Sequence, residues 1–322
     1  METVTRVPTA ATVAETAHAI AESVAGVLAG RDDAVSTAVA CLLSGGHLLI
    51  EDIPGVGKTL LAQALAASIG GSFHRIQGTP DLLPGDVLGS MVPYGDGDGE
   101  RFELRFRRGP IFANVVVFDE LNRAHPRTQA ALLEATEEAA VTVDGTTRPL
   151  PDPFLLVATQ NPIEMAGTYQ LGEGALDRFA AVVTLGRPGR ADEADVLTGR
   201  RGRTRLGEVR PVVDITELAA ARATVRATSV SDPIAHYVID LLEATRHHPR
   251  VTLGASTRGG VALVGLAQAR AAMDGRRYVV PDDVLAVAQA GLAHRLIVPG
   301  GTLAAGQEIV AECVAKVPAP AL

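Results

Sequence analysis

The sequence predicts an α/β domain, with an open parallel sheet sandwiched by helices, followed by a smaller all-α domain. Two observations lead to this prediction. Through about the first 190 residues, short apolar strands alternate with loops and helices, as in a parallel sheet that is covered on both faces. After the stretch RPGR at residues 187–190, the strong patterns are all helical. We therefore expect an α/β core at residues 1–188 and a helical domain at residues 189–322.

The composition fits this architecture and limits the classes of function. Of the 322 residues, 47% are hydrophobic but only 3% are aromatic, so the core must consist mainly of Ala, Leu and Val. No apolar run approaches the ~18 residues that cross a bilayer, and no signal peptide is evident. The net charge of −8 disfavours a protein that mainly coats nucleic acid. We expect a cytoplasmic protein in which Cys41 and Cys313 are free thiols.

The elements of the core alternate regularly along the chain. Two Ala-rich helices are predicted within residues 15–43, because Gly26 and Gly30 interrupt the helical pattern. Strands are predicted at residues 47–50, 72–77, 115–118, 154–158 and 181–185, with helices at residues 60–69 and 128–139.

Helical spacing dominates the remainder of the chain. Helices are predicted at residues 216–227, 233–245, 257–273 and 281–293. Two of them begin with Pro and acidic residues, which is typical of helix N-termini. The basic run GRRGRTR at residues 199–205 is interpreted as a solvated linker.

The loop after the first strand has the residues of a phosphate-binding site. In IEDIPGVGKTLL, Gly55 and Gly57 allow backbone N–H groups to converge on an anion at a helix N-terminus. Lys58 is expected to reach the outer phosphates, and the Thr59 hydroxyl to bind Mg²⁺. Asp52 replaces the first glycine of the usual pattern. This position marks the exit of the strand, so we expect it to affect only the shape of the turn. The predicted nucleotide-binding residues are Pro54, Gly55, Val56, Gly57, Lys58, Thr59 and Leu60.

Two adjacent acids end the apolar strand at residues 115–118. We expect Asp119 to hold Mg²⁺ through water, and Glu120 to orient and polarise the water that attacks the γ-phosphate. Two carboxylates at the end of a buried strand would be costly without a metal ion to face. The loop and the acids, in this order and spacing, predict hydrolysis of ATP with Mg²⁺.

Further motifs cover nearly all of the chain. They are GVGKT, TPDLLPGDVLG, VVVFDELNRAHPRTQAALLEATEE, VATQNP, ALDRF and GASTRG. Together they resemble the MoxR group of AAA+ ATPases. The resemblance implies a P-loop AAA+ core and a helical lid domain behind each nucleotide. It also implies a ring of subunits, usually a hexamer.

The resemblance implies three more active-site residues, each with a simpler alternative. Asn161 would be the sensor that helps to place the attacking water, or it could cap the following turn. Arg178 would be an arginine finger that reaches the neighbouring subunit's site, or it could form an ion pair within its own chain. Arg258 would touch the γ-phosphate from the lid, or it could be an exposed arginine at a helix start. Arg123 could face the ring interface or hold its loop to a carboxylate.

Three departures from the family pattern leave every catalytic group in place. Asp52 is the first of them. Gly172-Glu173-Gly174 stands where Pro-Glu-Ala is usual, which loosens the segment before Arg178. Thr257 replaces the usual Pro before Arg258.

An insert is predicted at about residues 80–110. Residues 101–107 alternate charged and apolar side chains, which indicates a strand, and YGDGDG at residues 94–99 would join it to a partner strand around Met91. The resemblance agrees, since this AAA+ branch carries an inserted hairpin. The arginines of the insert invite a nucleic-acid interpretation. Glu103 interrupts the row, however, acids lie at the tip, and no aromatic residue lies on the charged face for base stacking.

The resemblance implies a chaperone-like remodeller or maturation factor for a protein client, often one with a von Willebrand A domain. Two alternatives stay open. One is a motor that translocates nucleic acid, which the insert disfavours, and the other is a slow, nucleotide-gated assembly scaffold.

Overall fold

The structure is a computed structural model that describes residues 9–28, 30–95, 102–162 and 167–321. Within these residues, the strands are β1 (Leu48–Glu51), β2 (Phe73–Gln77), β3 (Gly89–Gly95), β4 (Phe102–Arg108), β5 (Val115–Asp119), β6 (Ala140–Val143), β7 (Thr146–Pro149), β8 (Leu155–Gln160) and β9 (Ala181–Val183). The helices are α1 (Ala10–Ala25), α2 (Asp32–Ser44), α3 (Lys58–Ser68), α4 (Pro84–Leu88), α5 (Pro126–Glu137), α6 (Glu173–Leu176), α7 (Arg190–Leu197), α8 (Arg203–Leu206), α9 (Ile215–Arg226), α10 (Asp232–Arg246), α11 (Thr257–Met273), α12 (Pro281–Leu292) and α13 (Leu303–Lys316).

Five parallel strands form the central sheet, in the order β2-β5-β8-β1-β9. Because all five run in the same direction, their carboxyl ends lie along one edge of the sheet. The loops that follow β1, β5 and β8 therefore meet at that edge, where open α/β sheets bind their ligands.

Successive side chains of a strand point to opposite faces of the sheet, and both faces are packed with apolar residues. Leu48, Val115 and Val117 are buried against the layer that contains α1, α2 and α3, whereas Val116 and Phe118 are buried against the layer of α5. Consecutive apolar residues are needed because both faces are covered. This arrangement confirms the predicted parallel sheet sandwiched by helices.

The helices after β9 share a core with the N-terminal helices. α1 and α2 both pack against α11, and the apolar side chains of α9 to α13 continue the cluster that covers the first face of the sheet. α2 contacts both β9 and the C-terminal helices, and α12 packs directly on β9.

An antiparallel hairpin occupies the region of the insert. β3 pairs with β4 so that Gly89 lies opposite Arg108 and Met91 opposite Phe106. At its base the chain crosses itself closely, since a Cβ atom on Gly109 would lie 2.2 Å from the carbonyl oxygen of Val87. The predicted turn with Asp96 and Asp98 lies outside the described residues.

Several elements were not predicted from the sequence. The hairpin of β6 and β7 turns at Asp144 and Gly145, which have φ values of 49° and 70°. Asp-Gly flanked by strand-forming residues is a strong hairpin signal, so this hairpin was predictable from the sequence. The final helix α13 begins after Thr302, whose hydroxyl accepts a hydrogen bond from the Ala305 N–H.

Candidate active site

The loop between β1 and α3 opens into a cavity at the carboxyl edge of the sheet. Gly55 and Gly57 have φ values of 85° and 102°, which glycine adopts without steric cost. A Cβ atom on Gly57 would lie 2.9 Å from Cδ1 of Leu28, in the connection between α1 and α2. The loop thus packs closely on that connection, and the N-terminal turn of α3 faces the cavity, whose volume is about 440 Å³.

Most of the predicted site residues line this cavity. They are Pro54, Gly55, Gly57, Lys58, Thr59, Leu60, Asp119, Glu120 and Asn161. Val56 is different, because its side chain is half-buried and packs against the main core. Val56 is therefore the one predicted nucleotide-binding residue that does not line the cavity.

Lys58 crosses the loop towards the strand ends. Its Nζ donates hydrogen bonds to the carbonyl oxygens of Asp52, at 2.6 Å, and Gln160, at 3.4 Å. Burial lowers the pKa of Lys58, while nearby carboxylates, Asp52 first, raise it. The ammonium group thus lies within a cluster of oxygen acceptors that a phosphate could replace.

Thr59 and Asp119 are close together, as two residues that share one Mg²⁺ ion must be. The Thr59 hydroxyl donates to Oδ2 of Asp119 at 3.1 Å, and the Thr159 hydroxyl donates to Oδ1 at 3.3 Å. Arg75 Nε also donates to Oδ2, at 2.6 Å. A buried carboxylate beside a hydroxyl provides the hard oxygen donors that Mg²⁺ prefers, so these residues fit the ion.

Glu120 is held by its backbone and by two side chains. Its φ of 55° and ψ of 52° are left-handed, which costs a non-glycine residue on the order of 1–3 kcal/mol. Gln77 Nε2 donates to Oε2 of Glu120 at 2.9 Å, and Arg123 Nη1 donates to the same oxygen at 3.3 Å. Arg123 was expected either to face the ring interface or to hold its loop to a carboxylate, and in this structure it pairs with the carboxylate of Glu120. Position 78 must be a glycine, because a Cβ atom there would lie 2.2 Å from the carbonyl oxygen of Glu120 and collide with it.

Sequence reasoning missed several residues of the cavity wall. Arg75 and Gln77 occupy alternate positions near the carboxyl end of β2, beside the strand that carries Asp119. Polar residues with a period of two in a predicted strand were an available signal. Thr159 is similarly placed on β8. Arg203 reaches the cavity from the basic run, and no local pattern identifies it.

Asp52 has a larger role than setting the shape of a turn. Its Oδ1 accepts a hydrogen bond from the Ile53 N–H at 2.7 Å. Its Oδ2 accepts hydrogen bonds from the Leu185 N–H, at 2.7 Å, and the Gly186 N–H, at 2.6 Å. The carboxylate therefore ties the exit of β1 to the segment after β9.

Arg178 and Arg258 lie at a second cavity, which shares no lining residue with the first. Arg178 Nε donates to Oε2 of Glu137 at 2.8 Å, and Arg258 Nη2 forms an ion pair with the other carboxylate oxygen. Of its two predicted roles, arginine finger or ion pair within its own chain, Arg178 forms the ion pair in this structure. Arg258, in the first turn of α11, is partly exposed and does not reach the cavity of Lys58 in the same chain.

Asp177 holds the two arginines near each other. The Ser256 hydroxyl, at the start of α11, donates to its Oδ2 at 3.0 Å, and Arg295 Nε donates to its Oδ1 at 2.8 Å. Arg295 is buried and also donates to the carbonyl oxygen of Phe179 at 2.8 Å. These bonds fix the start of α11 beside the end of α6, so Arg258 and Arg178 face the same side.

Among the described residues, the helices are all too short or too polar to cross a membrane.

Comparisons with known proteins agree with this geometry. Residues 47–181 match the family described as ATPase family associated with various cellular activities, and residues 243–313 match the AAA lid domain. The chain is 44% identical to the Uncharacterized protein YeaC of Bacillus subtilis (strain 168), over 84% of this chain and 83% of the relative. It is 37% identical to the Chaperone MoxR1 of Mycobacterium tuberculosis, over 86% of this chain and 74% of the relative.

Two further similarities extend over most of the chain. The Protein MoxR of Methylorubrum extorquens is 32% identical, over 85% of both chains. A crystal structure from Cytophaga hutchinsonii superposes with a TM-score of 0.86 at 32% identity, and the match covers 97% of each chain. Residues, fold and relatives agree, and the chain belongs to the MoxR family of AAA+ ATPases.

Proposed function

We propose that this protein binds ATP with Mg²⁺ and hydrolyses it in a ring of identical subunits, six in number. The observation that carries the proposal is the contact between Thr59 and Asp119 at 3.1 Å, in a cavity that Lys58 and Glu120 also line. Hydrolysis of the γ-phosphate requires three parts: a phosphate-binding loop, oxygen ligands for Mg²⁺, and a carboxylate that orients the attacking water.

Each residue has a specific role in this proposal. Backbone N–H groups of the loop and Lys58 bind the phosphates, and Asp119 and Thr59 hold Mg²⁺, which would neutralise charge on the β- and γ-phosphates. Glu120 orients and polarises a water molecule, with Asn161 helping to place it. The water oxygen bonds to the γ-phosphorus as Glu120 accepts a proton from that water, and the bond between the γ-phosphorus and the bridging oxygen breaks, so that this oxygen leaves with ADP.

The contacts of Lys58 would change when ATP binds, whereas those of Glu120 can persist. Lys58 donates to backbone carbonyl oxygens and must exchange them for phosphate oxygens. Gln77 and Arg123 both donate to one carboxylate oxygen of Glu120, Oε2, and neither of them donates to Oε1. We infer that Gln77 and Arg123 orient the Glu120 carboxylate so that its Oε1 can accept a hydrogen bond from the attacking water.

Arg178 and Arg258 are proposed to act on the nucleotide of a neighbouring subunit. Both lie at the second cavity, away from the phosphate loop of their own chain, and both face the same side. A head-to-tail interface, repeated around a closed ring, brings one such surface against the next subunit's nucleotide cavity. Glu137 occupies both guanidinium groups until the phosphate competes for them.

Two substitutions test the chemistry. Lys58→Ala should abolish nucleotide binding, because the phosphates lose the cation of the loop. Glu120→Gln should bind ATP normally and hydrolyse it roughly 10²-fold more slowly, because the amide is a poor base. Binding is measured with a fluorescent ATP analogue and turnover by phosphate release. A Glu120→Gln variant that turns over at the wild-type rate contradicts the assignment.

We propose that hydrolysis remodels a protein client in the cytoplasm, where a protein with a von Willebrand A domain is a candidate. The proposal is supported by the relative named Chaperone MoxR1. The helical region at residues 189–322 would be the lid that moves against the core at residues 1–188. Glu120→Gln should retain client in the ATP-bound state, and affinity purification with and without ATP would identify it.

A nucleic-acid motor is disfavoured by the hairpin. Arg105 forms an ion pair with Glu103 at 2.9 Å, and its guanidinium lies 4.2 Å from the centre of the Tyr94 ring. Arg108 similarly lies over Phe112, at 5.4 Å. The aromatic rings neutralise no charge, and Tyr94, which lies opposite Glu103, is on the charged face, so the expectation that no aromatic residue lies there was wrong. Glu103, however, offsets the charge of Arg105, which weakens the attraction of the hairpin to a phosphate backbone. Single-stranded DNA should therefore leave ATPase activity unchanged, and stimulation of that activity would favour the motor.

The second alternative is the nucleotide-gated assembly scaffold. Very low turnover of ATP with strong ATP-dependent assembly would favour it.

A further inference from the structure

The four arginines of the basic run, at residues 199–205, differ in their contacts. Arg200 pairs with Asp195 at 2.7 Å, and Arg201 donates to the carbonyl oxygen of Ala25 at 3.3 Å. Arg205 forms an ion pair with Glu208. Arg203 makes no ion pair or side-chain hydrogen bond within the described parts of the chain, and it lines the cavity of the phosphate-binding loop.

The run is fastened beside that loop. Gly202 is buried with a φ of 93°, and its N–H donates to the carbonyl oxygen of Val27 at 2.9 Å. Val27 precedes Leu28, whose side chain packs on Gly57 of the loop. α8, which begins at Arg203, packs against α3. The run is thus tethered beside the cavity and provides part of its wall through Arg203, while most of its residues are exposed, as expected of a solvated segment.

The cavity's other cations already have partners. Arg75 is paired with Asp119, and Lys58 donates to two carbonyl oxygens. A nucleoside triphosphate adds several negative charges to this space. Arg203 is a cation that can meet such charges without first breaking a contact to the described part of the protein.

The direction of entry decides which phosphates are within reach. Arg203 enters from the helical side, with α3 and the connection between α1 and α2, and lines the cavity together with Leu60 and Gln63 of α3. Gln77 and Glu120, which define the γ-phosphate end in our proposal, enter from the strand ends. Arg203 therefore approaches the inner part of the polyphosphate.

We propose that Arg203 binds the α- or β-phosphate, which ATP and ADP share, in the nucleotide site of its own subunit. The assignment rests on the proposed function of this site. Arg is suited to the role, because its planar guanidinium can donate two parallel hydrogen bonds to phosphate oxygens.

Dissociation constants of Mg-ADP and of a non-hydrolysable Mg-ATP analogue test the proposal, measured by isothermal titration calorimetry. Arg203→Ala should raise both constants by about tenfold or more, since a hydrogen bond to a charged group contributes about 1.5–3 kcal/mol. Arg203→Lys, which keeps the charge, should recover part of the loss. Arg205→Ala is the matched control and should stay within about twofold, because Arg205 is paired elsewhere in the same run.

The remaining outcomes each overturn a different statement. Equal constants for Arg203→Ala and Arg205→Ala would remove Arg203 from the site. A loss confined to the ATP analogue would place the contact on the γ-phosphate and refute the shared-phosphate assignment. Failure of the unsubstituted protein to bind either nucleotide would overturn the proposed function, and this assignment with it. Arg203 is exposed, so thermal unfolding should be unchanged in all variants.

Discussion

Asp52 has a structural role that the usual pattern of the loop does not indicate. By the usual pattern of the loop, the position is a glycine with a purely conformational role. In the structure the carboxylate accepts three backbone hydrogen bonds, two of them from Leu185 and Gly186 after the last strand of the sheet. The side chain is buried and directed at those N–H groups, so the acid is a tether between distant segments.

We expect Asp52→Gly to separate stability from nucleotide binding. The affinity for ATP should change by less than about tenfold, or ~1.4 kcal/mol, because the carboxylate is engaged with backbone N–H groups. The free energy of unfolding should fall by about 1–3 kcal/mol, since buried N–H groups lose their acceptor. Calorimetric titration and urea denaturation give the two quantities.

Asp52→Asn is the control, because one amide oxygen can still accept from the Leu185 and Gly186 N–H groups. It should retain more stability than Asp52→Gly. A large gain in ATP affinity in both variants would instead mean that the carboxylate repels the nucleotide.

At the scale of elements, Glu137 connects three helices. It is the last residue of α5, and it pairs with Arg178 just after α6 and with Arg258 in the first turn of α11. All three side chains are partly exposed, so each pair is worth less than a buried one. The pairs are therefore weak enough to be exchanged for contacts to a phosphate on another subunit.

Glu137→Gln should raise the ATPase rate of the assembled protein by about two- to fivefold. The physical reason is that an exposed ion pair contributes up to about 1 kcal/mol, and its loss frees both arginines to meet the neighbour's nucleotide. Steady-state phosphate release measures the rate. Glu138→Gln, at the adjacent exposed position, should leave the rate unchanged. A marked decrease in Glu137→Gln alone would show that Glu137 positions the arginines instead of competing for them.

At the scale of the whole molecule, the two cavities lie at different places on one subunit and share no residue. One presents the phosphate loop and the acids, and the other presents the two arginines. A complete site would then need two copies of the chain, with one surface from each. That requirement can be tested by mixing variants, without knowledge of the client.

Arg178→Ala and Lys58→Ala should each be inactive alone and should recover activity when mixed. In mixed rings, a Lys58→Ala subunit provides an intact Arg178 to a neighbour whose loop is intact. An arginine finger contributes roughly 10³-fold or more to turnover in other nucleotidases, so the recovery should be readily measured. ATPase activity is followed across mixing ratios, with assembly checked by light scattering.

The pair Arg178→Ala and Arg258→Ala provides the control. Both residues belong to the same surface, so every interface in a mixture of these two lacks one of them, and no recovery is expected. An inactive series from well-formed rings of Arg178→Ala and Lys58→Ala would contradict the action of Arg178 on a neighbour.

Local pattern was enough to predict much of this molecule. The inner strands of the parallel sheet were evident because they are apolar on both faces, as in β5, whereas β2 at the edge is mostly polar. The loop with Lys58 and Thr59, and the acids Asp119 and Glu120, were predicted to lie together because each follows a strand of the sheet, and the structure places them at one cavity. The domain boundary at residue 188 and the roles of the site residues stay predictions.

Only the tertiary structure decided which distant groups meet. Arg75 contacts Asp119, Asp52 holds the segment after β9, Glu137 pairs with two arginines, and Arg203 turns a basic run into part of the cavity wall. Hydrophobic periodicity reports which face of an element is buried, but it does not report which polar side chain lies opposite. Those pairings depend on how the strands are ordered in the sheet and on where the connections cross its carboxyl edge, and the chain acquires both only when it folds.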